Sequence, residues 1–419
     1  MLEHRYWGTS TPFTDLTTEN MKYLTLDNSI KDLTYFAREA KLPFAHGRAS
    51  SNADAVPWVM MGGSYSGALS AWTESVDPGT IWAYHASSAP VQAISDYWGY
   101  FLPVQEGMPK NCSKDVNLVI DYMDNILLNG TAQQQHDLKA KFGLETVEHN
   151  DDFMAALENG PWLWQGNQFY QTTGFYEWCD YVENSVNASS STVAGPNGVG
   201  LEKALQGYAD WTKNVFVPGY CAGYGYEEWQ DTNSTACFNT YNKSSPQFTD
   251  TSLSNTFDRQ WVWMTCNEPF GYWQDGAPVD RPTIVSRLVT ADYWSRQCAN
   301  YFPPGADGTL YGIANGKTED DVNAYDGGWF ITNSTRLIYA NGGYDPWREA
   351  TVSSELRPDG PLQSTPQVPV NIVPGGFHTS DFVTKNSDVN AGCRAVRDAE
   401  VDTLAAWVAE FPKRHHWQA

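Results

Sequence analysis

Leu26, Ile30, Leu33, Ala37 and Ala40 recur at helical spacing, which predicts an amphipathic helix from Leu26 through Lys41. Asp15 to Thr18 supply helix-start chemistry upstream of it. A polar loop over 46–54 follows. Pro57 to Gly63 reads as a buried strand and a glycine turn brings it to Ser64. A helix then runs on to the breaker cluster Val76-Asp77-Pro78-Gly79. Ile81 to Ala86 is a short apolar run, the next buried strand. Helix, strand, helix, strand in succession predicts an α/β fold with a doubly wound sheet.

The pattern changes after about Ser95. Val119, Tyr122, Met123 and Ile126 place a helix on Val116 to Leu128; Asn129-Gly130 breaks it, and Ala132 to Phe142 and Asp152 to Leu157 read as further helices. From Gly160 to Tyr325 the chain is rich in Trp, Tyr, Asn, Gly and Ser. Sheet texture returns at Arg336 to Ala340 and at Val368 to Val373. A last helix, roughly Ala395 to Glu410, carries Val401, Leu404, Val408 and Phe411 on one face, with 413–416 as an exposed tail. The expected organisation is an α/β core over 1–95 and 326–419. A large, mainly helical cap with disulfide-tied loops, 96–325, is inserted between its two parts.

Ser64 is the first candidate for chemistry. Gly62 lies two residues before it, Ser66 two after, and Gly67 one place later, the small-residue pattern of an α/β-hydrolase nucleophile elbow. The backbone N–H of Tyr65 then points to where an oxyanion would form. A strand-to-helix turn packed for geometry alone gives the same pattern. Two later strands each end in a glycine pair followed by a polar residue, Asp345 and His378, 33 residues apart. Functional groups of open α/β sheets gather beyond the C-terminal ends of strands. The order Ser64, Asp345, His378 is that of α/β-hydrolases. Taken singly, Asp345 reads as a turn residue before Pro346, and His378 as a loop residue. The other histidines fit less well: His4, His46 and His85 precede the acid, His136 and His149 lie in the cap, and His415 and His416 follow the last helix.

Charge narrows the partners. Lys and Arg number 26 against 49 Asp and Glu, a net charge of −23. This argues against nucleic acid and anionic membrane as partners and suits an acidic medium. No run approaches a membrane span. Met1 to Arg5 carries no apolar segment of a signal peptide. Glycosylation sequons stand at Asn111, Asn129, Asn187, Asn233, Asn242 and Asn333, and lean toward a secreted glycoprotein. The seven cysteines lack CxxC spacing and no histidine cluster accompanies them, so disulfides are expected, one cysteine left over, and neither a metal nor a cofactor.

Several runs resemble the prolyl carboxypeptidase and dipeptidyl-peptidase family of lysosomal and secreted serine peptidases, above all the fungal acid prolyl endopeptidases. Glu3-His4-Arg5-Tyr6-Trp7-Gly8-Thr9-Ser10-Thr11-Pro12-Phe13 is similar to the family's E-H-R-Y run. Gly62-Gly63-Ser64-Tyr65-Ser66-Gly67 resembles its elbow, and Asn341-Gly342-Gly343-Tyr344-Asp345-Pro346-Trp347 its acid loop. Cys266-Asn267-Glu268-Pro269-Phe270-Gly271 and Gly376-Phe377-His378 also match. The resemblance implies cleavage after proline, with Ser64 as nucleophile, His378 as base then acid, Asp345 orienting it, and the Tyr65 N–H as an oxyanion donor. It implies a proline-containing peptide as substrate, activity below neutral pH, and a secreted or vacuolar/lysosomal location. Trp347 is the expected wall of the proline pocket. Glu268 is expected either near the substrate or in a structural ion pair, such as one with a buried Arg. In the family, early strands and an oxyanion-donating loop precede the E-H-R-Y run, which here starts at Glu3, so a sheet without those strands is expected. Loss of one oxyanion donor costs on the order of 3–4 kcal/mol of transition-state stabilisation. The alternatives are an esterase or lipase on the same fold, and a shortened glycoprotein that binds peptides without turnover.

Overall fold

A computed structural model describes residues 1–43, 50–186, 194–331 and 333–415, with the backbone alone over 412–415. Part of the expected 46–54 loop, Asn187 and the end of the expected tail lie outside the described residues. Four parallel strands form the main sheet: β1 (Val59–Gly63), β2 (Ala83–Ser87), β5 (Leu337–Gly342) and β6 (Val370–Val373), in the order β1-β2-β5-β6. A separate parallel pair joins β3 (Ile94–Asp96) to β4 (Gly271–Trp273). The chain is therefore of the α/β class, and between β2 and β5 it is mostly helix and loop.

Every residue of β2 and β5 is buried, as continuous apolar runs require when helices cover both faces. Side chains alternate between faces with period two. Tyr84 and Ala86 enter the large core shared with the helices Leu26–Glu39 and Tyr65–Val76. Ala83 enters a smaller core with Ile338, Trp407 and Phe411 under the C-terminal helix Ala391–His415. Trp82 anchors that helix by donating its indole N–H to the Trp407 carbonyl at 2.7 Å.

The helix Leu26–Glu39 ends two residues before its expected limit. The helix expected from Val116 starts earlier, at Lys110. The last helix begins at Ala391 and extends beyond Glu410. The cysteines pair as Cys112–Cys179, Cys221–Cys237 and Cys266–Cys298, with Cys393 free and buried. Among the described residues β1 pairs only with β2, and an apolar groove of about 980 Å³ runs between β1, Met1 to Arg5 and the helix Leu26–Glu39. No helix of the described residues is long and apolar enough to cross a membrane.

Candidate active site

Three parallel strands present polar residues at one end of the sheet. Ser64 follows β1 directly and caps the helix Tyr65–Val76, with φ 60° and ψ −131°. That left-handed backbone is strained for a serine, and the surroundings hold it. The Ser64 N–H donates to the Ser87 carbonyl at 2.9 Å. A Cβ at Gly62 would lie 2.0 Å from the Ser66 carbonyl oxygen, and one at Gly67 2.6 Å from that of Ser87. Both positions need glycine for close backbone approach, so the displaced second glycine of the motif has a packing reason: β2 passes there.

Asp345 follows β5 and is fully buried. One oxygen, Oδ1, accepts the Trp347 N–H at 3.0 Å and lies 2.9 Å from His378 Nδ1. With Nδ1 donating to the carboxylate, Nε2 is left as the acceptor. No hydrogen-bond partner meets that nitrogen. His378 follows β6, 8% exposed, and Gln168 donates to its carbonyl at 3.0 Å. The next residue, Thr379, donates its N–H to Ser88 Oγ at 2.8 Å. A Cβ at Gly63 would lie 3.0 Å from the Thr379 methyl, so the elbow and the histidine loop are packed against each other. Arg348 ties the acid loop down, donating to the Gly343 carbonyl at 2.7 Å and to Glu106 at 2.8 Å.

Tyr65 opens the elbow helix, its ring packed on Trp261 and Trp72. Its hydroxyl lies 3.2 Å from His4 Nε2. Burial lowers the pKa of His4 and favours the neutral ring there. The E-H-R-Y run is thus bound to the elbow, and Arg5 fastens it with two bonds to Asp32 at 2.6 and 2.7 Å.

Trp347 is half-buried, its ring centroid 5.2 Å from Tyr272, 5.5 Å from Tyr100, 5.7 Å from Tyr97 and 6.4 Å from His378. Gln165 Oε1 accepts from both the Trp347 indole and the Tyr100 hydroxyl, each at 2.9 Å. The short β3–β4 pair builds this box, since Tyr272 lies on β4 and Tyr97 directly follows β3. Burial pushes the hydroxyls of Tyr97, Tyr100 and Tyr272 well up, so they stay neutral donors. Sequence reading picked out Trp347 but missed Tyr97, Tyr100, Gln165 and Tyr272, because they come from three further, distant segments with no spacing that links them.

Glu268 is engaged by a lysine and an amide. Its buried carboxylate accepts from Lys317 Nζ at 2.5 Å and from the Asn267 amide at 3.0 Å. The ion-pair expectation is met by a lysine and not by an arginine. The buried Arg259 instead donates to the carbonyls of Leu16, Phe248 and Tyr301. Of the sequons, Asn129, Asn233, Asn242 and Asn333 are exposed, and Asn111 is half-buried with its amide donated to Glu183 at 2.8 Å.

A parallel sheet with a strained serine elbow, and an Asp–His pair at neighbouring strand ends, defines the α/β-hydrolase class. The chain belongs to the serine carboxypeptidase S28 family, whose model matches residues 1–399. It is 40% identical over 412 residues to serine protease vicPb of Bipolaris victoriae, covering 98% of this chain and 76% of that protein. It is 29% identical over 402 residues to a "Probable extracellular serine carboxypeptidase" of Arthroderma benhamiae, covering 91% of this chain and 52% of that one. With the thymus-specific serine protease of Mus musculus it shares 23% over 425 residues, 98% of this chain and 74% of the other.

Proposed function

We propose that the protein is a secreted serine peptidase that cleaves peptides after proline through Ser64, His378 and Asp345, in an acidic medium. The observation that carries the reading is the 2.9 Å contact from His378 Nδ1 to Asp345, which leaves Nε2 free at the sheet end shared with Ser64. In the first step Ser64 Oγ attacks the scissile carbonyl carbon and its proton passes to His378 Nε2. The carbonyl oxygen becomes an oxyanion and meets the Tyr65 N–H. The tetrahedral intermediate collapses, the C–N bond breaks, and His378 gives its proton to the leaving amine. Water then attacks the acyl-enzyme by the same route, releasing the acid and restoring Ser64.

The aromatic box beside His378 supports proline as the residue ahead of the cut. A rigid apolar ring loses little entropy on entering a preformed aromatic slot. The name of the Arthroderma relative and the exposed sequons support secretion with glycans at Asn129, Asn233, Asn242 and Asn333. The bond from Asn111 to Glu183 makes that position the poorest acceptor of the described ones. We take 96–325 as the cap over this site.

Fluorophosphonate labelling of the chain and of Ser64→Ala, with hydrolysis of a proline-containing peptide and of a simple acyl ester, tests the reading. Labelling that vanishes in Ser64→Ala, together with peptide cleavage, is expected. Ester cleavage without peptide cleavage would replace it with an esterase.

A further inference from the structure

Behind the sheet three buried side chains converge that peptide hydrolysis does not use. His85 sits on β2, Asp381 three residues after His378, and Glu400 on the C-terminal helix. They are 1%, 3% and 4% exposed. His85 Nε2 lies 3.4 Å from Glu400 Oε2 and 3.8 Å from Asp381 Oδ2, beyond the usual N–H···O range. Neither ring nitrogen of His85 has a hydrogen-bond partner, nor has Asp381 Oδ2 or Glu400 Oε1. Buried polar atoms are rarely left so, and a cluster of them marks a missing partner.

We propose that His85, Asp381 and Glu400 bind one divalent cation of the zinc class, as a structural site. One ligand atom from each residue falls within 4.8 Å of the others, and among the described residues no other group of three does this. Tetrahedral ligands about 2.0–2.2 Å from zinc stand about 3.3–3.6 Å apart. The observed 3.4 and 3.8 Å about His85 need shifts of only a few tenths of an ångström, and the two carboxylate oxygens, within 4.8 Å of each other, close by at most about 1.5 Å. Two carboxylates and a neutral imidazole balance a divalent charge. A nitrogen donor among only three ligands suits zinc rather than calcium, which takes six to eight oxygens. The surroundings orient the ligands as metal sites require: Ser87 donates to Asp381 Oδ1 at 2.6 Å, and the Phe382 ring lies 5.1 Å from that of His85. The nearby Cys393 thiol is committed to the Ser380 carbonyl at 3.3 Å.

The position gives the ion a purpose. Strand alternation turns His85 and Ser87 toward the face that the C-terminal helix covers. The Ser87 carbonyl holds the Ser64 N–H, and Asp381 belongs to the loop of His378. A bound cation fastens the histidine loop, the strand beside the elbow and the C-terminal helix to one another, and binding adds to folding stability.

The test strips the full chain of metal with a chelator and titrates it with zinc chloride by calorimetry at pH 7.5. Glu400→Gln and His85→Gln are run beside it, and each protein is melted with and without zinc. Expected are one equivalent bound by the parent, affinity at least tenfold lower in each variant, and a melting temperature that zinc raises in the parent alone. Absence of both heat and melting shift in the parent, or equal affinity in the variants, would overturn the proposal. If neither variant folds, anomalous scattering at the zinc edge from the parent decides: a peak at His85 supports the site, and a peak only elsewhere rejects it.

Discussion

In the proposed triad Asp345 acts on chemistry only through His378, which makes Asp345→Asn the most informative single change. The asparagine oxygen still accepts the Trp347 N–H, so the fold is expected to survive. Its amide or carbonyl no longer holds the charged imidazole, and kcat is expected to fall roughly 10⁴-fold at neutral or acidic pH with little change in KM. A variant retaining more than a tenth of parent kcat would remove Asp345 from the triad. Trp347→Ala opens one wall of the aromatic box without touching the Asp–His bond. It is expected to raise KM for a proline peptide about tenfold or more, while fluorophosphonate labelling persists. Gly62→Ala places a methyl 2.0 Å from the Ser66 carbonyl and is expected to cost about 1–3 kcal/mol of stability, read from a urea midpoint. The three triad candidates were legible in the sequence because each follows glycines at the end of an apolar run. Tyr97, Tyr100, Gln165 and Tyr272 were not, because a box made by distant segments leaves no local spacing.

At the level of elements, the sheet strands were legible within two residues at either end. Their apolar runs are short, continuous and bounded by turn residues, as doubly covered strands demand. The β3–β4 pair was not, since two three-residue strands separated by a long stretch of helix and loop carry too little pattern to register. The helix Lys110–Asn129 was entered too late because its first turn is polar and Pro109 supplies its N-cap position. The C-terminal helix gives the cleanest stability test. Trp407 is 5% exposed and packs with Phe411 against Trp82 and Ile338, away from the elbow. Trp407→Ala is expected to destabilise the protein by about 3–5 kcal/mol. Labelling of Ser64 below the new melting temperature should be unchanged, which separates packing of that helix from the chemistry.

The whole molecule carries an unusual stock of buried acids. Glu158 has neither oxygen hydrogen-bonded, and burial pushes it well up, with the Asp275 charge adding. Asp275 is pushed up to about 9 by burial and by Asp96, and Asp326 to about 8 by burial. A carboxyl raised in the folded state binds its proton more tightly there than in the unfolded chain. Its stabilising contribution is complete below the unfolded pKa near 4 and is lost as pH climbs through the folded value. The acids that are lowered, Glu3, Asp27, Asp250, Asp307 and Asp321, act in the opposite sense, but all are partly or fully exposed, where solvent screens them. The net charge of −23 adds self-repulsion at neutral pH. Stability should therefore fall from pH 5 to pH 8 by a few kcal/mol, read as a drop on the order of 1 M in the urea midpoint. Asp326→Asn keeps an oxygen for the Gly328 N–H and should recover part of the loss at pH 8 while changing little at pH 4. A midpoint that is level or rises across that range would mean that the buried carboxyls are ionised at neutral pH with partners of their own. The fold would then owe nothing to an acidic medium.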